Sequence, residues 1–528
     1  MNTPITRRNF LRNSALSGAG LLLLRSGLVN AYGSPANPPN IVMLVFDDED
    51  IVNSPFLDAM AVLSSFKSSG AWFTTCISPT PISSPARCTL LTGRLAHNTG
   101  VYTLSGNYGP GNFQGSMADA FPAKLQNAGY TTGFIGKPWG ATTSIDPGWS
   151  FWSAWGGSNF YTGTSVDVTE VSLAGKSSSY TQTTSSYGGS IITTDFMSDK
   201  AYAFLQATAG NTNPFFLLLT PTAPHLPLPP ATRHQAYAQA TWQGQLDHTP
   251  NYNEPDVSDK SNWLISQAAT RSESVPYADQ EYWWRMGSLM AVDEMIGRIR
   301  DTLVAQGKWA NTVLIVTSDH GYNLGSHRLI HKMAPYDESI RIPLFIMGPG
   351  IQPCVINRIV GSHDLAPTIL DLAGIAAPIP AAPKGLGLSR DDGIGQRLLA
   401  TAPVPTDWFD GKSLVPFLRT GSNNGAPFWR HSIITAYVTG GVNAGYQPSG
   451  TLGAAWKLDI PTYTSIRTDT NKYVYWSATG EEEVYDLVND PYENYNLLKT
   501  YPGTYTALRA TLAARMNVEV ALAGPNCP

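Results

Sequence analysis

Short unbroken apolar runs recur along this chain, separated by longer stretches whose apolar positions fall three and four apart. Residues 41–46 (Ile-Val-Met-Leu-Val-Phe), 215–219 (Phe-Phe-Leu-Leu-Leu), 313–316 (Val-Leu-Ile-Val) and 343–347 (Pro-Leu-Phe-Ile-Met) are of the first kind. Runs of this length without alternation predict strands buried on both faces. Residues 131–135 predict another strand, after a helix-like segment over 118–128. Helical spacing covers residues 54–66, where Phe56, Met60, Val62, Leu63 and Phe66 fall near one face. A longer helix is expected over 280–306, with Met286, Met290, Val292, Met295 and Ile299 along one side. Buried strands alternating with helices predict an α/β fold, a sheet sandwiched by helices on both faces.

The pattern changes towards the C-terminus. Pro, Gly and Ala crowd residues 376–405, which read as a linker or surface excursion. Short strand-like runs follow at 463–467, 472–476 and 483–487, then a helix over 505–517. These predict a smaller α+β subdomain built on an antiparallel sheet. The division expected is an N-terminal segment 1–33, a large α/β domain over 36–400 and the small-sheet subdomain over 401–528. Residues 162–190, rich in Ser, Thr and Gly, read as a long loop or irregular insertion.

Length and composition narrow the setting. A chain of 528 residues, 42% hydrophobic, can bury a large core. Charged residues are few, the net charge is -5, and no basic block is present, so nucleic acid is not an expected partner. The 14 Trp and 24 Tyr serve either as packing or as surfaces that stack on sugars. At the N-terminus, Thr6-Arg7-Arg8-Asn9-Phe10-Leu11 is a twin-arginine pattern, followed by an apolar run from Ala15 to Leu24 closed by Arg25. That run is short for a stable membrane span. With small residues near Ala31 and Gly33, it reads as a cleaved signal for the twin-arginine export machinery, and hence a periplasmic or secreted protein. This route carries folded chains, which suits a protein modified or metallated before export. Cys76, Cys88, Cys354 and Cys527 match no zinc spacing; one or two disulfides remain open, as does a buried, reduced Cys88.

Candidate chemistry sits where the predicted strands end. Asp47-Asp48 follow the first strand, at the edge where open α/β sheets bind ligands, and paired carboxylates suit a hard divalent cation. An isolated Asp-Asp pair is more often a solvated turn, but Asp319-His320 occupy the same place after the strand at 313–316. Ser83-Ser84-Pro85-Ala86-Arg87-Cys88 opens an apolar helix, with Pro85 near its first turn. Ser83 thus stands at a helix N-terminus, where backbone N–H groups favour an anion, and Arg87 comes one turn later. Nucleophile, helix end and arginine together make an anion pocket; a Ser-x-Pro alone would be an ordinary cap.

The stretch from Ser83 to Arg94, reading (C/S)-x-P-x-R followed by Leu90-Leu91-Thr92-Gly93-Arg94, resembles the signature of the sulfatase family. Asp47-Asp48 resemble its first metal-ligand pair, Gly136-Lys137 its G-K motif, and Ala223-Pro224-His225 its A-P-H motif. Ser318-Asp319-His320-Gly321 resemble the motif with the remaining metal ligands. Leu324-Gly325-Ser326-His327 with Lys332 resembles its L-G-x-H…K element. The resemblance implies the alkaline-phosphatase superfamily fold and a sulfuric ester hydrolase. It also implies a calcium ion held by Asp47, Asp48, Asp319, His320 and residue 83, with Ser83 converted to formylglycine. Arg87 would then steady the aldehyde hydrate, Lys137 and Lys332 hold sulfate, and His225 protonate the departing oxygen. The region of the A-P-H motif and residues 319–325 is most similar to the glucosamine-6-sulfatase-like branch, implying a sulfated saccharide or small molecule, with aryl sulfates also possible substrates.

Two departures from the family pattern stand out. Many relatives read G-K-W-H where this chain has Lys137-Pro138-Trp139, so the group that assists sulfate release is open; His327 is the substitute candidate. Serine rather than cysteine at position 83 implies a serine-type formylglycine maturase as partner. Two other readings stand beside this one. One is a phosphodiester or phosphonate-ester hydrolase of the same superfamily using unmodified Ser83; the other is an inactive carbohydrate-binding relative.

Overall fold

Seven consecutive residues, Asn40–Phe46, are all buried and form a strand inside a ten-stranded sheet. Alternation along this strand feeds two cores. Ile41, Met43 and Val45 point to one face; Val42, Leu44 and Phe46 point to the other. That is why the run carries no polar position: helices cover both sides. In the computed structural model, residues 37–522 are described apart from 53, 141–144, 157–164, 176, 184–191, 227, 269–274, 377–408, 427–428 and 440–459.

The strands run in the order Cys354–Ile356, Gly70–Phe73, Leu344–Met347, Thr312–Ser318, Asn40–Phe46, Phe215–Thr220, Thr131–Gly136, Phe151–Gly156, Ser165–Val171 and Ser177–Thr183. The five from Thr312–Ser318 to Phe151–Gly156 are mutually parallel, so their carboxyl ends open on one edge. Leu344–Met347 and the last two strands pair antiparallel. On one face lie helices Ile192–Ala207, Thr232–Trp242 and Val275–Ala305. On the other lie Ser83–Thr92, Phe121–Asn127, Leu365–Leu372 and Val415–Thr420. Each Leu, Ile or Phe fully buried in these layers contributes about 1.5–3 kcal/mol.

The apolar runs therefore become strands, and the helix expected over 280–306 extends from Val275 to Ala305. Three expectations need correction. Residues 54–66 do not form one helix: a 3-10 turn at Phe56–Asp58 is followed by Ala61–Ser65. The second piece starts where Asp293 of the long helix accepts from Val62 N at 2.8 Å and Leu63 N at 2.9 Å, capping it from outside. Residues 118–128 likewise divide into Met117–Asp119 and Phe121–Asn127, with Pro122 in the first turn of the latter. Within the stretch read as a loop, Ser165–Val171 and Ser177–Thr183 form an antiparallel hairpin that lengthens the sheet. Val168 and Thr169 suit a pleated surface, a signal hidden by the polar composition. Most of the expected linker at 376–405 lies outside the described residues.

The C-terminal sheet is as expected, with Ser432–Tyr437 added to Tyr463–Thr468, Asn471–Trp476 and Glu482–Asp486 in sequential antiparallel order. Leu512 and Met516 of helix Thr506–Val520 cover one face. The other face presents Tyr463, Val474, Trp476 and Tyr485 to Ile82, Leu329, Met333 and Tyr336 of the large domain. A buried ionic seam runs beside this cluster. Lys472 Nζ lies 2.8 Å from Asp337 and 2.7 Å from Glu493, within ion-pair range, and Arg467 reaches Asp337 at 3.2 Å. The small sheet is thus fastened directly behind Ile82 and Met333, neighbours of Ser83 and Lys332. Cys76, Cys88 and Cys354 are unpaired, and burial pushes the Cys88 thiol up to about 12; Cys527 is outside the described residues.

Candidate active site

Four of the parallel strands deliver a predicted residue to the same edge. Asp47 and Asp48 follow Asn40–Phe46, Asp319 and His320 follow Thr312–Ser318, Lys137 follows Thr131–Gly136, and His225 follows Phe215–Thr220. Strand ends meet there because parallel strands present their free carboxyl-terminal turns together. The approach is close: Gly136 has φ +128°, and a Cβ on it would lie 2.2 Å from the Thr220 carbonyl. Only glycine allows Lys137 N to donate to Thr220 O at 3.0 Å and Thr220 Oγ1 to donate back to Lys137 O at 2.9 Å.

Ser83 is the first residue of helix Ser83–Thr92, preceded by the extended Ile82. Its hydroxyl lies 3.4 Å from Asp47 Oδ1, 3.2 Å from His320 Nε2 and 3.4 Å from Lys137 Nζ. One turn on, Arg87 Nε donates to Asp319 Oδ2 at 3.0 Å, and NH1 donates to Lys137 O at 3.2 Å. Lys137 Nζ pairs with Asp47 Oδ2 at 2.5 Å and Lys332 Nζ with Asp48 Oδ1 at 2.5 Å. His225 Nε2 is 3.7 Å from Asp48 Oδ2. Its Nδ1 donates to the Leu226 carbonyl, leaving Nε2 as the nitrogen turned to the cluster.

Asp47, Asp48, Asp319 and His320 each offer a ligand atom, and these atoms all lie within 4.8 Å of one another. All four residues are buried. Burial opposes ionisation of Asp47, yet Lys137, His225, Arg87 and Lys332 around it hold the carboxyl well below the usual range. Asp48 is also lowered, against burial, by His225, Lys332 and His320. Burial draws His225 down to about 3 and lowers His320, which favours the neutral form of both rings. Three carboxylates converging in a buried site form a donor set that fits a hard divalent cation; His320 adds a nitrogen, softer than such ions usually take.

The structure thus gathers Asp47, Asp48, Ser83, Arg87, Lys137, His225, Asp319, His320 and Lys332. It does not bring His327 there. That ring is buried elsewhere, with Nδ1 2.6 Å from Glu254 Oε2, Nε2 3.3 Å from Asn251 Nδ2, and its face against Tyr336. Glu254 raises its pKa in spite of burial. Trp139, where many relatives carry histidine, is buried edge-on against Phe113 and donates to Asp146 Oδ2 at 2.6 Å. Sequence reasoning missed Arg285, whose NH2 donates to Asp48 O at 2.6 Å. Its one signal was a charge set among Tyr282, Met286 and Leu289 on a buried helix face.

Comparison with known proteins agrees with this geometry. The family model described as Sulfatase matches residues 39–375. The chain is 28% identical to N-acetylglucosamine-6-sulfatase of Homo sapiens, across 97% of this chain and 90% of that protein. It is 30% identical to an arylsulfatase of Volvox carteri, across 93% of this chain and 75% of that one. Among solved structures, a protein in complex with its substrate D-glucosamine-2-N,6-O-disulfate superposes with a TM-score of 0.67 at 22% identity, covering 91% of this chain and 97% of that one. The match spans both carboxylate pairs, the Ser83 helix and the lysines: this chain belongs to the sulfatase family and is a sulfuric ester hydrolase.

Proposed function

We propose that the enzyme hydrolyses sulfate esters of saccharides, with the 6-sulfate of a glucosamine unit as the preferred class, through a formylglycine derived from Ser83. The observation that carries this reading is the position of the Ser83 hydroxyl. It stands at a helix N-terminus, within 3.4 Å of Asp47, His320 and Lys137. The two glucosamine-sulfate relatives support the substrate class. Phenolates leave more easily than sugar alkoxides, so aryl sulfates turn over as well.

Asp47, Asp48, Asp319 and His320, with residue 83, would hold one calcium ion, which when bound supplies positive charge against the sulfate oxygens. In this reading Ser83 carries an aldehyde hydrate. One hydroxyl of the hydrate would attack sulfur and give up its proton to solvent, while the S–O bond to the sugar breaks and the sulfate stays on residue 83 as an ester. Arg87 orients the hydrate from one turn away. Lys137 and Lys332 neutralise the transferring sulfate. The proton for the departing sugar oxygen comes from Nε2 of His225. The ring must first take up that proton, and Asp48, 3.7 Å away, is the group that favours the charged form. Loss of a proton from the remaining hydroxyl to solvent would then expel sulfate and restore the aldehyde, and addition of a water molecule would re-form the hydrate.

Conversion of serine needs a serine-type maturase acting before export, and the twin-arginine pattern at Arg7-Arg8 supports a periplasmic or secreted destination. Among the described residues no helix is long and apolar enough to cross a membrane. The test is the mass of the tryptic peptide ending at Arg87, from protein made in its native host. Formylglycine formation removes two hydrogens, a loss of about 2 Da. Unmodified Ser83 in active protein would instead make the serine itself the nucleophile and phosphoesters the substrates.

A further inference from the structure

Asp48 carries backbone strain. Its φ is +79°, in the left-handed region that non-glycine residues avoid, and it is one of the four clustered ligands. Such a conformation persists only where the surroundings hold it. Asp319 Oδ1 holds the Asp48 N–H at 3.2 Å, and the Asp48 carbonyl is held by Arg285 of the long helix Val275–Ala305. Its guanidinium is buried, donates from NH2 to the Asp48 carbonyl at 2.6 Å, and lies 3.4 Å from Glu49 Oε2 and 3.8 Å from Asp50 Oδ2.

The same guanidinium rests on a ring. Arg285 Cζ lies 4.6 Å from the centroid of Tyr322, a cation–π contact in a site closed to water. The Tyr322 hydroxyl in turn is 2.8 Å from His331 Nδ1. His331 is again left-handed, at φ +82°, and is pinned through its carbonyl by Asn323 Nδ2 at 2.7 Å. The next residue is Lys332, whose ammonium returns to Asp48 Oδ1 at 2.5 Å. The contacts close a circuit: Asp48, Arg285, Tyr322, His331, Lys332 and back to Asp48.

We infer that Arg285 is a positioning residue that sets the metal ligand Asp48 directly and the sulfate-binding Lys332 through Tyr322 and His331. This rests on the proposed assignment of calcium and sulfate to these residues. One buried cation thereby couples two functions that lie 284 residues apart in the chain, so that calcium affinity and sulfate affinity depend on a common support. A lysine at 285 keeps the charge but lacks the planar fork that spans the carbonyl, two carboxylates and the ring.

The experiment uses the full chain and reads two affinities, calcium by calorimetry and inorganic sulfate by competitive inhibition of an aryl sulfate. Arg285→Lys should weaken calcium binding by about tenfold or more, the scale on which groups behind a metal ligand act, and weaken sulfate with it. Tyr322→Phe keeps the ring under Arg285 but removes the link to His331; it should raise the sulfate inhibition constant by about fivefold, the worth of one hydrogen bond, with calcium affinity unchanged. A merely structural role would lower the melting temperature without this split. A folded Arg285→Lys protein with wild-type affinities for both ions overturns the inference. Should that variant not fold, an unchanged sulfate constant in Tyr322→Phe overturns it. A wild-type protein that binds neither ion refutes the proposed calcium and sulfate site and the linkage with it, and that failure is visible before any substitution is made.

Discussion

The hydroxyl of Ser83 lies 3.2 Å from Nε2 of His320, although 237 positions separate the two residues. A helix N-terminus and a strand end are brought face to face, and Arg87 ties the same two elements through Asp319. Ser83 is therefore part of the acid cluster. Replacing Ser83 by alanine should abolish turnover of sulfate esters while the circular dichroism spectrum and melting temperature stay at wild-type values. Residual turnover by a folded Ser83→Ala protein would remove Ser83 from the nucleophile role.

Asp319 accepts from Arg87 Nε, from Asp48 N at 3.2 Å and from His320 N at 2.9 Å, besides facing the cluster. Asp319→Ala should lower bound calcium and activity together, as measured by elemental analysis after dialysis and by aryl sulfate turnover. Full calcium occupancy in this variant would place the ion elsewhere.

His225 is proposed to protonate the leaving oxygen, a role that matters in proportion to how poor the leaving group is. His225→Gln should cost about 10²–10⁴-fold in kcat/KM on a sugar sulfate and much less on nitrophenyl sulfate, whose phenolate leaves unaided. Equal losses on both would show that His225 positions the sulfate rather than supplying a proton.

The buried His327 gives a pH signature. Burial disfavours its charged form, but Glu254, 2.6 Å away, more than compensates, and its pKa is raised above 6.5. A group whose pKa is higher in the folded state binds its proton more tightly there. Its stabilisation is complete below about 6.5 and is lost as pH rises through the higher folded value. Urea unfolding from pH 6 to pH 9 should show falling stability in the wild type and a shallower decline in His327→Gln. Identical slopes would mean that the ring is uncharged in the fold.

At the junction with the small sheet, Lys472 is fully buried between Asp337 and Glu493. Lys472→Met should destabilise the protein by about 3–5 kcal/mol, because it leaves two acids buried without their shared cation. Chemical denaturation would measure this; a change below that range would mean that Arg467 and solvent take over the pairing.

The sequence by itself determined the strands, the long helix and the residues at their ends. A run such as residues 41–46 is apolar for a local reason, burial on both faces, and the polar residues that follow it must lie at the sheet edge. That is why Asp47, Asp48 and Asp319 could be named from the pattern alone, whereas Ser83 was marked by a helix start and Lys137 only by the resemblance to the sulfatase family. Tertiary structure alone decided what pairs with what. The Ser165–Val171 and Ser177–Thr183 hairpin joined the sheet because an edge strand, Phe151–Gly156, was there to accept it, which polar composition does not reveal. His327 sits close in sequence to Lys332, yet its ring turned to Glu254 and Asn251 instead of the cluster. Arg285 looked like one charge on a helix until the fold set Asp48 against it. Local pattern reports which residues seek burial or a cation. The partner each one finds depends on contacts between segments hundreds of residues apart, and those exist only once the chain has folded.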